Sequence, residues 1–419
     1  MSFPNPKVLL VASKTGYQVR EFARHAERLG YRVQLATDRC HVLDDPWADG
    51  AIPIRFEEPW TAPAQVAGMS FDGVIAVGDK PAYVAALIAE YLKLPFHSAE
   101  AVRASRNKFE MRRRFAEAGM LVPAYRRVSL DVDPQSAAEE TDYPCVLKPL
   151  GLSASRGVIR ADTSDEFIRA FERIRALLAS PEILRMHEDQ DRFLLVEQFI
   201  PGKEFAMEGV VTAGELTVLA IFDKPDPLDG PFFEETVYVT PSREPAEVQR
   251  AMVDCTRRAV VALGLLNGPI HAEMRVNASG VWMLEIAGRP IGGLCAACLK
   301  YAGGQSLEDV LLRHAVGELP ANLKLADPAR GVMMIPIPRA GVYSGVSGTE
   351  GARSLPGIED VIITAKEGQK LVPLPEGASY LGFIFSRGEN VDAAEAALRA
   401  AHAELSFSIA GELPVLSAG

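Results

Sequence analysis

Residues 268–293 read GPIHAEMRVNASGVWMLEIAGRPIGG. Two runs of alternating residues flank Asn277-Ala278-Ser279-Gly280, the pattern of a β-hairpin. Pairing Asn277 with Val281 leaves Ala278-Ser279-Gly280 as a three-residue turn with glycine at its left-handed position. Alternation then puts His271, Glu273 and Arg275 on one face of the first strand, and Val281, Met283 and Glu285 on one face of the second. In that register Glu273 stands opposite Glu285. Two carboxylates about 5 Å apart repel by about 3 kcal/mol at an effective dielectric of about 20, a cost a structural hairpin has no reason to carry. A hard divalent cation removes it: Mg2+ takes oxygen ligands at about 2.0–2.1 Å and is held by one or two carboxylates plus substrate phosphates. Changing either acid to its amide is expected to relieve the metal-free hairpin. The stretch alone leaves open an exposed hairpin with solvated acids, or a register shifted by one.

Upstream stand three further segments that suit a nucleotide. Lys148 ends the apolar run PCVLKPL and precedes the loop GLSASRG, where backbone N–H groups and the hydroxyls of Ser153 and Ser155 can converge on phosphate. Gly-x-x-x-x-Gly-Lys-Ser/Thr is missing throughout, so this is no P-loop, and a plain surface loop is the alternative. The strand ending Glu197-Gln198-Phe199-Ile200 turns at Pro201-Gly202 into Lys203-Glu204, which can offer backbone groups to a purine edge and a carboxylate to ribose. Ser105 is placed to cap a helix from Arg106 to about Gly119, with Lys108 in its first turn. The adjacent Arg112-Arg113-Arg114 is expected on a solvated face of that helix. Glu234 and Glu235, in DGPFFEETVYVTPS, fall in a loop over the expected cleft, where either can meet a substrate ammonium; Lys224 belongs to the same group. His271 either orients substrate or is satisfied by a neighbour.

The chain has 419 residues, 48% of them hydrophobic, enough for a large core and two to four domains. Its net charge of −11 argues against nucleic acid as a partner. No apolar run approaches the roughly 20 residues of a membrane span, and MSFPNPKVLLVAS does not read as a signal peptide, so a cytoplasmic protein is expected. Five scattered cysteines form no disulfide framework, and Cys295 and Cys298 read as buried thiols in a short helical stretch. The first hundred residues alternate apolar strand runs with helical periodicity, a doubly wound α/β unit. Gly-x-Gly-x-x-Gly is absent after its first strand, which points to a scaffold role. From about 123 the pattern becomes α+β, with a helix capped by Thr163 and FLLVEQFI grouped with the strands after it. Glycine and proline mark a boundary at 316, beyond which a helix capped by Asn390 buries Ala394, Leu398, Ala401 and Leu405.

Lys108, then Lys148 with its serine-glycine loop, then EQFIPGKE, then the Glu273/Glu285 hairpin and Arg289 resemble the ATP-grasp superfamily in order and spacing. The segment from MMIPIPRAGVYSGVSG through YLGFIFSRG is similar to the C-terminal domain of the L-amino-acid ligases, which make dipeptides. The resemblance implies an ATP-grasp fold of mixed α/β and α+β class: an N-terminal doubly wound (pre-ATP-grasp) domain over 1–104, an ATP-grasp domain over 105–316 with a lid at about 123–193, and a completing C-terminal domain over 317–419. It implies ATP and Mg2+, small-molecule carboxylate and amine substrates, and an amide formed through an acyl phosphate with release of ADP and phosphate. Carried over by residue, Lys108 and Lys148 go to the phosphates and Ser153, Ser155, Arg156 and Gly157 to the closing loop. Glu197, Gln198, Phe199 and Ile200 go to adenine, Glu204 to ribose, and Glu273 and Glu285 to Mg2+. Arg289, and with it Lys148, takes a catalytic part, Arg289 steadying the acyl phosphate. Glu235, His271, Arg275, Gly292 and Gly293 are assigned to substrate. Ala287 departs from the superfamily's asparagine, which leaves a second metal in doubt. A bicarbonate-activating enzyme of the biotin or purine carboxylase type and a nucleotide-binding regulator with a degenerate site remain alternatives, and a homodimer is open.

Overall fold

The computed structural model describes residues 5–13, 17–38, 50–321 and 323–411. The N-terminal unit is a parallel sheet of β1 (Lys7–Ala12), β2 (Arg32–Thr37), β3 (Ile52–Pro53) and β4 (Gly73–Val77), in the order β3-β2-β1-β4. β1 is apolar on both faces because both are covered, as parallel sheets require. Val8 and Leu10 enter one core, with the helix Tyr17–Leu29 and the returning helix Leu307–Ala315, while Leu9 and Val11 enter another with the helix Asp79–Leu92. The chain leaves β1 for β2 on one side and later fills β4 on the other. The carboxyl ends of β1 and β4 therefore flank a topological switch point, the crevice where open α/β sheets take ligands.

The helix expected from Ser105 begins later. Ser105 closes the preceding helix Ala99–Ser105 and donates its hydroxyl to the Val102 carbonyl. Asn107 caps the next one, Lys108–Glu117, accepting from the Phe109 and Glu110 amides. Lys108 is thus its first residue.

The segment expected as a lid is an antiparallel sheet of β5 (Tyr125–Ser129), β6 (Cys145–Pro149), β7 (Ile159–Ala161) and β8 (Phe193–Gln198), ordered β5-β8-β6-β7. The helix Ser164–Leu178, capped by Thr163, lays Phe167, Phe171 and Ile174 on it. A lid ending near 193 omits β8, which is bonded on both edges at the centre of this sheet. The unit runs to Gln198, and FLLVEQFI belongs with it rather than with the strands that follow.

Those strands, β9 (Lys203–Thr212), β10 (Glu215–Lys224), β11 (Val237–Thr240), β12 (Gly268–Asn277) and β13 (Gly280–Ala287), build a sheet ordered β13-β12-β9-β10-β11. It continues through Ala329–Ile335, Gly382–Gly388 and Ile358–Ile363. The boundary at 316 marks the chain path and not the core, since β11 pairs directly with the strand Ala329–Ile335. The helix Ala246–Leu263 covers one face of the hairpin end. Asn390 caps the helix Val391–Ala403, which buries Ala394, Leu398 and Ala401; Leu405 lies past its end, partly buried. Cys295–Cys298 is a single 3-10 turn with both thiols buried; Cys40 lies outside the described residues. Among the described residues no helix is long and apolar enough to cross a membrane.

Candidate active site

A cavity of about 540 Å³ lies where lid, central sheet and N-terminal crevice meet. The hairpin reaches it by two offsetting departures from the expected geometry. Asn277 pairs with Gly280, so the loop is the two residues Ala278-Ser279, and Gly280 takes φ +124. The lost residue is recovered by a β-bulge at Leu284, which restores Glu273 opposite Glu285. The bulge also splits the expected face: Val281 and Met283 pack toward the core with Ile286, while Glu285 turns into the cavity.

Arg112 clamps that bulge. Far from solvated, it is 1% exposed, donating from Nη1 to the carbonyls of Met283 (3.1 Å) and Leu284 (2.9 Å) and from Nε to Glu197 (2.9 Å). Lys148 Nζ meets the same Glu197 carboxylate. Burial alone would raise the Glu197 pKa, but Arg112 and Lys148 hold it down at about 2. Burial pushes Lys148 below the usual lysine range against the pull of Glu197. Lys108 donates to the Leu152 carbonyl at 2.6 Å and pairs with Glu285 at 3.3 Å.

Glu204, Glu235 and Glu273 bring carboxylate oxygens within 4.8 Å of one another around the buried Lys224 ammonium. Burial and then the charge of Glu273 push Glu235 up to about 7, and Tyr238 donates to it at 2.8 Å. Glu273 is held well below the usual carboxylate range, Lys224 and His271 outweighing its burial. His271 is satisfied by neighbours: Nδ1 meets Glu208 and Nε2 lies 3.2 Å from Glu273. Burial disfavours its charge, yet Glu208 keeps the imidazole protonated, its pKa raised to about 9. The facing acids are thus already balanced by Lys224, His271 and Lys108. The expectation that an amide at either position relieves strain is corrected, because it strands a buried cation instead.

Ser153, Ala154 and Ser155 line the cavity, the last two in the left-handed region at φ 57 and 54. Arg156 and Gly157, assigned to the closing loop around phosphate, turn the other way. The Gly157 amide and Arg156 Nε donate at 2.7 Å to the Pro375 and Glu376 carbonyls, and Arg173 binds Glu376 with two nitrogens. Arg275, assigned to substrate, lines the cavity and donates to Glu204 (2.8 Å) and to the carbonyls of Ile200 (2.7 Å) and Leu228. It thereby props the strand end at Gln198, Phe199 and Ile200, where Phe199 stacks on Phe233 at 6.5 Å. Gly292 and Gly293 line the far end.

The N-terminal unit is more than a scaffold. Asp79, just past β4, forks onto Arg289, and Gln18 donates to the Ile291 carbonyl at 3.1 Å. Arg112 and Asp79 were not singled out from the sequence. Arg112 had a signal, one helical turn after Lys108 on the same face; Asp79 had only its place after a β-strand at the start of a helix. The carboxylates fit a hard cation such as Mg2+, two oxygen donors on adjacent strands facing one cavity, with no third oxygen from Ala287.

Two antiparallel sheets closing on a cavity with buried lysines and facing carboxylates define the ATP-grasp class of ligase folds. Residues 141–298 match the family described as ATP-grasp domain, and residues 333–410 match L-amino acid ligase C-terminal domain 2. The crystal structure of L-amino acid ligase from Bacillus licheniformis superimposes with a TM-score of 0.83 at 25% identity, covering 97% of this chain and 100% of that one. The chain is 26% identical to the uncharacterized protein y4rH of Sinorhizobium fredii, over 82% of this chain and 70% of that protein. It is 28% identical to the alanine–anticapsin ligase of Bacillus subtilis over 57% of this chain, spanning 53% of that relative's length. The chain carries an ATP-grasp domain and, after it, the C-terminal domain 2 of the L-amino acid ligases.

Proposed function

We propose that the protein is an ATP-dependent carboxylate–amine ligase that joins an amino acid or similar small acid to an amine. One observation carries this reading: two lysines, two facing carboxylates and the partly buried Arg289 converge on a single cavity, lined on one side by Thr364, Gln369 and Tyr380 of the C-terminal segment. The relative named alanine–anticapsin ligase and the L-amino acid ligase structure support the substrate class.

Adenine would lie along Phe199 and Ile200 with ribose toward Glu204, and Lys108 and Lys148 would meet the phosphates. Glu273 and Glu285 would hold Mg2+, which when bound neutralises charge on the transferring phosphoryl oxygens. A substrate carboxylate oxygen attacks the γ-phosphorus and ADP leaves, giving the acyl phosphate. The amine nitrogen then attacks the carbonyl carbon, phosphate leaves, and the amide forms with loss of a proton. Arg289 offers a fixed cation to the oxygens whose charge grows in that step. Glu235, held near neutrality, suits the incoming ammonium or its proton. The lid sheet and its loop exclude water that would hydrolyse the acyl phosphate.

The test is a phosphate-release screen across pairs of amino acids with single-substrate controls. Release that requires two amino acids, with an amide product, is expected. Stimulation by bicarbonate without an amine would support a carboxylase instead, and nucleotide binding without turnover a regulator.

A further inference from the structure

The switch-point crevice of the N-terminal sheet opens toward the cavity through one acid. Gly78 follows β4 at φ +102, and Asp79 begins the helix Asp79–Leu92, where the helix N-terminus favours an ionised carboxylate. Asp79 meets Arg289 across domains, Nε to Oδ1 at 2.8 Å and Nη2 to Oδ2 at 3.4 Å, the two-pronged geometry that fixes a guanidinium plane. The remaining nitrogen, Nη1, donates to the Pro290 carbonyl at 3.0 Å. Both side chains are sheltered, 11% and 21% exposed. Ser153 of the 150–157 loop lines the cavity alongside Asp79. Two parts of the molecule that are remote in sequence therefore meet at Asp79.

We infer that Asp79 is a positioning residue that sets the guanidinium plane of Arg289 toward the reacting carboxyl group. The inference rests on the proposed role of Arg289 in amide formation. An arginine held only by its stem samples several rotamers. Misplacement by about 1 Å of a group that acts on the transition state costs a factor on the order of 10² in rate. Asp79 itself does not touch substrate, so its loss acts on turnover and not on nucleotide binding.

Asp79→Asn, Asp79→Glu, Arg289→Ala and the double variant Asp79→Asn/Arg289→Ala are compared using the amino-acid pair that the screen finds. Readouts are kcat, KM for ATP and each amino acid, ADP affinity and thermal melting. Asp79→Asn is expected to lower kcat by roughly 10- to 100-fold with KM values within threefold, Asp79→Glu to recover part of it, and the double variant to be no worse than Arg289→Ala. If Asp79→Asn does not fold, Asp79→Glu decides by the same kcat-against-KM split. Unchanged kcat overturns the inference, and a raised KM for one amino acid at constant kcat makes Asp79 a substrate contact. Additive loss in the double variant makes it merely structural. Wild-type protein that binds ADP yet releases no phosphate with any pair overturns the ligase reading and this inference with it. An active wild type with an unaffected Asp79→Asn overturns the inference alone.

Discussion

Replacing Arg112 by leucine should damage the protein twice, once in stability and once in the metal-dependent step. Arg112 and Glu197 are 1% and 2% exposed, so removing the guanidinium leaves a carboxylate with no water to turn to. Breaking a buried ion pair costs about 3–5 kcal/mol, and because Lys148 still faces Glu197 the lower end, about 3 kcal/mol, applies. The Met283 and Leu284 carbonyls lose a charged donor, adding roughly 1–2 kcal/mol. The sum of about 4–5 kcal/mol predicts a fall in melting temperature on the order of 8–10 °C at about 2 °C per kcal/mol. The freed bulge should also let Glu285 drift from Glu273 and weaken the Mg2+ dependence of ADP binding, read by titration calorimetry with and without the metal. Arg112→Lys restores a charge for Glu197 but cannot span both carbonyls, so it should recover much of the melting temperature and little of the metal dependence. A leucine variant melting within about 2 °C of wild type, with undiminished Mg2+-dependent ADP affinity, would refute the clamp.

Glu273→Gln and Glu285→Gln should each abolish Mg2+-dependent turnover, and Glu273→Gln should also melt lower than wild type without metal because Lys224 and His271 lose a partner; a higher melting temperature would restore the repulsion argument. Amide exchange over Ser153–Gly157 should slow on adding Mg-ATP, and Glu376→Ala, which unhooks Arg173, should speed it in the free protein; protection unchanged in both cases would deny the loop a closing role. His97 is buried, donating from Nε2 to the Pro269 carbonyl (2.9 Å), and burial depresses its pKa to about 4. Between about pH 6.5 and 4 the unfolded chain binds a proton there that the folded one does not, so stability falls as pH drops through that window, by up to about 3 kcal/mol. His97→Gln should flatten the slope of denaturation midpoint against pH, and an unaltered slope would acquit this residue.

The period-two pattern made the hairpin and the Glu273/Glu285 pairing legible because alternation is a local property. The turn and the bulge were not, since a two-residue loop with one bulged residue and a three-residue loop without one give the same opposed pair. Arg112 read as solvated because its partners stand 85 and 171 or more positions away, beyond the reach of any local pattern. Asp79 and Arg289 are separated by 210 residues, and neither sequence neighbourhood announces the other. The lid's extent was misjudged for a related reason: apolar runs tell that β8 is a strand, while only its two hydrogen-bonded neighbours tell which sheet it joins. Order and spacing of Lys108, Lys148, EQFIPGKE and the hairpin carried the fold because each motif sits at the end of an element facing one cavity.

The central sheet passes without a break from β11 into the strand Ala329–Ile335, which constrains how chimaeras of such ligases can be built. A crossover at 316, where composition changes, would ask strands of two parents to zip edge to edge and to share one layer of side chains. A mismatch there leaves an open strand edge, a template for aggregation. The segment 123–198 forms a separate sheet with its own core and meets the rest largely through loops and polar contacts. Exchange of that segment between relatives should yield soluble hybrids where exchange of the segment beyond 316 fails.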